Sequence, residues 1–213
     1  MTRSELLQSF CDCSENRPEF NRPFVQGNYV IGTDDQVALL LPKDEADPVN
    51  YEEQTKPNMQ RLISGEKKPL MEIDTKDIKV AFYELRDKIN NIDRRRPECK
   101  GHRTVEYSYW DRLSNLHTTD LDCPICEGTG ERNIHEFFRK KRYQYVINDK
   151  YSLSYPTMCH VIEVIDYFNL NKITLLQDVC QWQQWPFHIV DDRFHMVLAP
   201  TLYNHDDDDA KED

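Results

Sequence analysis

The chain has 213 residues, enough for one large domain or two small ones, and 38% of them are hydrophobic and 11% aromatic, enough for a packed core. The longest apolar run, Val37 to Leu41, stops at Pro42, which excludes a hydrophobic membrane-spanning helix, and a mean hydropathy of −0.78 predicts long polar loops. Of the formal net charge of −11, the tail 206–213 supplies −5 from six acids and one lysine, so the remaining −6 is ordinary and the tail reads as a disordered, solubilising end. Glu5 and Gln8 stand where a signal peptide needs an apolar core, so a cytoplasmic protein with reduced thiols is expected.

Ser4 is a plausible N-cap for a short helix over 4–13, with Leu6, Leu7 and Phe10 at helical spacing. A turn-rich connection with Pro18 and Pro23 leads to two strands, Phe24–Ile31 and Gln36–Leu41, joined at Gly32-Thr33-Asp34-Asp35. Residues 43–70 read as a solvated loop, followed by a short strand at Leu70–Ile73. Thr75 caps a helix to about Ile89, with Ile78, Phe82, Leu85 and Ile89 on one stripe. Thr104–Trp110 alternates as a strand should, and Thr118-Thr119-Asp120 reads as a turn. Strands follow at Tyr143–Ile147 and Tyr151–Tyr155, then a helix from Thr157 to about Asn169. Three more strands close the chain: Lys172–Gln177, Pro186–Val190 and Arg193–Ala199.

This order predicts an α+β fold: an antiparallel or mixed sheet with two main helices, interrupted by a small inserted zinc-binding module. The expected divisions are 1–42 and 143–204 as two parts of one domain, 43–92 as linker and helix, 93–142 as the insertion and 205–213 as the tail. The insertion holds Cys99-Lys100-Gly101-His102 and, twenty residues on, Cys123-Pro124-Ile125-Cys126-Glu127-Gly128-Thr129-Gly130. Two soft ligands separated by two residues can reach one ion from a short folded-back loop. Cysteine spacing in the second pair would put the missing cysteine of the first at Arg96, so His102 is the candidate fourth ligand beside Cys99, Cys123 and Cys126. Four protein ligands describe a closed, structural zinc; three would leave an open position near Glu127. A module of this size lacks the core to hold itself, and zinc supplies what the core does not.

Basic residues flank the pairs: Arg94, Arg95, Lys100 and Arg103 on one side, and Arg139, Lys140, Lys141 and Arg142 on the other, next to Phe137, Phe138, Tyr143 and Tyr145. Cations interleaved with aromatics suit a DNA or RNA backbone with stacked bases. The bland alternative is that they offset thiolate charge and solvate a turn. Trp182 and Trp185 are candidates for a protein contact, or else pack on their own sheet. His188 and His195 are placed to face each other across the last hairpin. With no phosphate loop, nucleophile elbow, paired carboxylates or upstream His-x-Glu of a zinc deaminase, a non-enzymatic protein is expected.

Arg17-Pro18, a strand, and Tyr29-Val30-Ile31-Gly32-Thr33-Asp34-Asp35 leading into Val37–Leu41 resemble one domain of a bacterial DNA sliding clamp, with Asp35 where that motif has glycine. The C-terminal block, ending in Val197-Leu198-Ala199-Pro200, is similar to the second half of such a domain. The resemblance spans roughly residues 4–42 and 143–203 and implies a nucleic-acid- or replication-associated binding role. Cys123-Pro-Ile-Cys-Glu-Gly-Thr-Gly is similar to the cysteine-rich repeat of J-domain cochaperones, and residues 96–103 look like a second copy with Arg96 for its first cysteine and Arg103 for its last glycine. No J-domain is visible, so chaperone activity is not implied. The alternative function is a protein-interaction or inhibitor module of a phage or mobile element, with zinc as a staple only.

Overall fold

Thr2, two residues before the expected cap, opens the first helix, α1 (Arg3–Ser9): its hydroxyl accepts from the Glu5 N–H, and the Glu5 carboxylate accepts from the Thr2 N–H. The computed structural model describes residues 1–12, 17–55, 58–95, 98–133, 143–148, 151–179 and 186–202. Leu6, Leu7 and Phe10 are fully buried. The expected strand over 24–31 is two strands, β1 (Phe24–Gln26) and β2 (Tyr29–Thr33), because Gly27 takes a left-handed turn at φ +59°. Gly32 is where α1 lies on β2. A Cβ there would fall 2.1 Å from the Leu7 carbonyl oxygen, so only glycine admits the helix. β3 (Val37–Pro42) follows a turn held by Asp34, whose carboxylate accepts the N–H groups of Gln36 and Val37.

The stretch expected to be loop carries β4 (Glu52–Glu53), α2 (Met59–Ile63) and the first half of β5 (Lys67–Asp74). Two polar side chains build α2: Asn58 accepts from the Arg61 N–H, and Gln26 from the Met59 N–H. Asp74, one residue before the expected Thr75, caps α3 (Thr75–Asn90), which buries the predicted stripe. Next come β6 (Thr104–Trp110), β7 (Leu116–Asp122), β8 (Gln144–Val146), β9 (Tyr151–Ser154) and α4 (Tyr155–Phe168), the last closed by Asn169 in the left-handed region. The chain continues through β10 (Lys172–Asp178), β11 (Phe187–Asp191), β12 (Phe194–Leu198) and β13 (Thr201–Leu202).

Eight strands form one mixed sheet in the order β4-β1-β2-β3-β12-β11-β10-β5, antiparallel except where β4 joins β1. The N-terminal and C-terminal blocks of strands meet at its centre, where Leu39 of β3 pairs with Met196 of β12. The fold is therefore mixed α+β, as expected. Alternation sorts the central strands: Leu39, Leu41 and Met196 pack with α1, α3 and α4, while Ala38, Leu40 and Val197 face Met59 of α2. Each fully buried leucine or phenylalanine contributes about 1.5–3 kcal/mol. β13, β9 and β8 form a second small sheet.

Three histidines lock into this body. His188 and His195 do face each other across β11–β12, with Nδ1 and Nε2 2.9 Å apart. Burial brings His188 down to about 4, helped by Lys67, and His195 down to about 3, helped by His188. His160 on α4 lies against the Phe10 ring and near Asp34 and Glu163. Burial would lower it, but the two carboxylates prevail and raise it to about 9.

The β6–β7 ribbon is a sheet of its own. The expected turn at 118–120 lies inside β7; the chain reverses instead at 111–115, where the Asp111 carboxylate accepts the N–H groups of Leu113 and Asn115 and the Asn115 side-chain amide. Asp111 also bonds His117 at 3.0 Å, the main cause of its fall to about 2. Local hydrogen bonding from one aspartate outweighed the turn propensity of Thr-Thr-Asp.

Candidate metal centre

At the base of the ribbon two five-residue turns repeat one another. In Cys99-Lys100-Gly101-His102-Arg103, positions 100, 101 and 103 have positive φ, and in Cys126-Glu127-Gly128-Thr129-Gly130 so do 127, 128 and 130. The N–H of His102 bonds the Cys99 carbonyl at 2.7 Å, and that of Thr129 bonds the Cys126 carbonyl at 2.9 Å. Arg103, at φ +72°, thus holds the conformation that Gly130 holds at +77°. The turns pack directly on each other: a Cβ on Gly130 would fall 2.8 Å from the Gly101 carbonyl oxygen and 3.0 Å from Arg103 Cγ.

The turns bring Cys99, Cys123 and Cys126 together, all buried, with their sulfurs mutually within 4.8 Å. Cys99 Sγ and Cys126 Sγ are 3.8 Å apart, the edge of a tetrahedron with metal–sulfur bonds of about 2.3 Å. The Gly130 N–H donates to Cys126 Sγ at 3.2 Å, and the Cys123 N–H to the Arg103 carbonyl at 2.8 Å. Burial pushes the Cys123 thiol up. It acts the same way on Cys126, but the Gly130 N–H and the neighbouring thiols outweigh it and bring that thiol to about 7. A buried thiol trio in which one member ionises readily and accepts an N–H is a donor set fitted to a soft metal ion.

His102 does not join the sulfurs. Its side chain is exposed and stands outside the cluster. The repeat explains why, because His102 occupies the position of Thr129, also exposed, on the outer side of its turn. By the same correspondence the partner of Cys123 is position 96, an arginine.

The basic residues separate into two kinds. Arg94 pairs with Glu131 at 3.2 Å and Arg95 with Asp93 at 2.6 Å, and the N–H of Arg132 bonds the Arg94 carbonyl. Arg94 thus ties the chain ahead of the first knuckle to the chain behind the second, while Arg95 is engaged locally. Lys100 and Arg103 are exposed on the first knuckle. Arg139, Lys140, Lys141 and Arg142, with Trp182 and Trp185, lie outside the described residues. Sequence reasoning missed the role of Asp111 and the opposition of Glu106 to Asp120 across the ribbon; the latter needed the register, which the misplaced turn concealed.

The fold and centre define an α+β protein with a buried three-cysteine cluster at the base of a two-stranded ribbon. No family model matches the chain, and no curated protein does. Among solved structures it is similar to the DNA polymerase sliding clamp of Bacillus subtilis, with 12% identity and a TM-score of 0.46 over 95% of this chain and 62% of that one. It is also similar to a putative DNA polymerase III beta subunit of Eubacterium rectale, with 10% identity and a TM-score of 0.45 over 94% and 64% of the two chains. A third is the DNA polymerase III beta subunit of Thermotoga maritima, with 12% identity and a TM-score of 0.40 over 93% and 61%. The chain spans roughly three-fifths of the length of these structures. The likeness carries neither a family assignment nor a function.

Proposed function

We propose that the protein is a non-catalytic binding module in which one zinc ion, held by Cys99, Cys123 and Cys126, fixes the β6–β7 ribbon to a clamp-like α+β body. The observation that carries this reading is the sulfur cluster: three buried thiols on two matching turns, two of them 3.8 Å apart. An ion with N and S preference and tetrahedral geometry is zinc before any other common metal. A replication- or nucleic-acid-associated role is supported by the clamp-like motifs of the sequence around Gly32-Thr33-Asp34 and Val197–Pro200. Among the described residues Lys100 and Arg103 are the knuckle cations open to a phosphate backbone, since Arg94 and Arg95 are engaged by acids.

Metal analysis of the purified chain tests the centre. About one zinc per chain is expected, lost in Cys123→Ser and retained in His102→Ala, because His102 stands on the outer side of its turn. Arg96→Cys supplies a thiol at the position matching Cys123, so tighter zinc is expected. Zinc content unchanged in Cys123→Ser sinks the proposal. Binding of a short DNA duplex at low salt, lost in Lys100→Glu/Arg103→Glu, tests the nucleic-acid contact, and no binding removes it. A protein partner is the second reading, favoured by the bare aromatic ribbon.

A further inference from the structure

The β6–β7 ribbon is built like an interface with one side missing. It buries none of its residues, and six large apolar side chains on it are exposed: Tyr107, Tyr109, Trp110, Leu113, Leu116 and Leu121, ranging from 49% at Leu121 to 82% at Leu113. A two-stranded ribbon alone in water is marginal, and contiguous exposed apolar surface marks interaction sites. Each of its strands pairs only with the other, so both outer edges present unpaired backbone groups among the described residues.

The register sorts its side chains into two unlike faces. Val105 opposite Leu121, Tyr107 opposite Thr119, and Tyr109 stacked on His117 make an aromatic face. Glu106 opposite Asp120, with Trp110 opposite Leu116 nearer the tip, makes an acidic face. Like charges directly opposite each other on a sheet destabilise it. Neither Glu106 nor Asp120 has a cationic partner among the described residues, so the pair stands open to a cation from outside.

We propose that this ribbon is a docking edge for an extended basic polypeptide strand in which apolar and basic residues alternate. A strand added at either edge continues the alternation of the ribbon. Its apolar side chains then extend the Tyr107–Tyr109 face, and its lysines or arginines fall on the other face, beside Glu106 and Asp120 and within reach of the Trp110 ring. A second copy of this chain fits poorly, because its own Glu106 and Asp120 would land beside these acids and each chain carries a net charge of −11. A nucleic acid would set phosphates against the same carboxylates. The docking edge rests on the metal-stapled reading, since the base of the ribbon packs on the cysteines through Val105.

The test uses the full zinc-loaded chain and three fluorescent probes: a short alternating Lys-Val peptide, its Glu-Val counterpart and a single-stranded DNA oligomer. The Lys-Val peptide is expected to bind with salt-sensitive affinity and the Glu-Val peptide not to bind. Glu106→Lys/Asp120→Lys and, separately, Tyr107→Ser/Tyr109→Ser are each expected to weaken Lys-Val binding by about tenfold or more at unchanged zinc content. Lys-Val binding unaffected by both double variants overturns the proposal, as does equal binding of the Glu-Val peptide. DNA binding lost in the tyrosine variant overturns it too and assigns the ribbon to nucleic acid. If zinc stays bound and the acid reversal does nothing, the docking edge fails while the metal staple stands. If Cys123→Ser keeps its zinc yet Lys-Val binding depends on Glu106 and Asp120, the staple fails while the docking edge stands.

Discussion

β12 buries all five of its residues, whereas neither β6 nor β7 buries one. Both belong to antiparallel pairs with regular register, so hydrogen bonding alone does not separate them. What differs is what stands above and below. β12 lies at the centre of the main sheet, with Phe194, Met196 and Leu198 packed into the large helix-covered core and Val197 into the cluster on the opposite face. The β6–β7 ribbon is exposed on both faces and, among the described residues, is anchored at its base, where Val105 packs against the three cysteines. The body is held by area removed from water and the module by a few short-range bonds at one point.

That contrast predicts separable failures. With zinc held as proposed, chelating it, or making Cys123→Ser, should remove on the order of 10 kcal/mol from the module and almost nothing from the body. Protease cleavage between 104 and 122 and loss of amide protection in β6–β7 should follow, with the thermal transition of the main sheet unmoved. A body that unfolds with the metal would break the comparison. Phe187→Ala does the reverse. This ring, carried by the first residue of β11, is fully buried and meets Tyr151 edge-on, so its loss should cost about 3–5 kcal/mol. Thermal denaturation should register the change while zinc stoichiometry stays as before.

The same contrast decides what the sequence discloses. Periodicity over ten or more residues made α3 and α4 legible, because a buried stripe such as Ile78-Phe82-Leu85-Ile89 is written in the chain itself. The cysteine pair at 123 and 126 was legible for a similar reason, as its spacing alone brings two thiols close together. α2 was hidden because its start depends on Gln26, thirty-three positions away. The ribbon turn was hidden because Asp111 builds it from hydrogen bonds that no propensity scale weighs. His102 attracted attention as a metal-binding residue type near Cys99, but its place in the turn, matching Thr129, turns it outward. Conversely, the clamp-like turn departs from glycine at Asp35, and the structure holds that residue at φ +75° with Arg17 paired to its carboxylate. A charge pair thus accompanies the conformation that glycine adopts freely.

Titration of three buried histidines should move the body. Burial holds His188 and His195 far below their ordinary range, so the unfolded chain takes up their protons first as pH falls. Stability is therefore expected to decline as pH drops below about 6.5. His160 acts with the opposite sign. Raised to about 9 by Asp34 and Glu163, it contributes fully below about 6.5 and its contribution is lost as pH rises toward 9. Denaturant midpoints measured across pH should peak near 6.5, with a fall of a few kcal/mol on the acid side. His188→Gln should flatten the acid limb and His160→Gln the alkaline one. A profile unchanged by either variant would remove these histidines from the account.

The finest contrast lies within the module, between two turns of one shape and different sequence. Gly130→Ala forces a side chain into the left-handed region and onto the Gly101 carbonyl oxygen at 2.8 Å. A loss of about 1–3 kcal/mol from the zinc-loaded module is expected, read as weaker zinc in a chelator competition. Arg103→Gly is not its mirror image. Glycine relieves about 1 kcal/mol of left-handed strain, but it adds back about 0.5–1 kcal/mol of chain entropy in the unfolded state. It also removes the arginine stem that lies 3.0 Å from where a Gly130 side chain would begin. These terms nearly cancel, so the competition curve should shift by less than about twofold. A large gain would mean that Arg103 strains the centre it borders. A large loss would mean that its stem, filling the space Gly130 leaves, is part of what closes the knuckle.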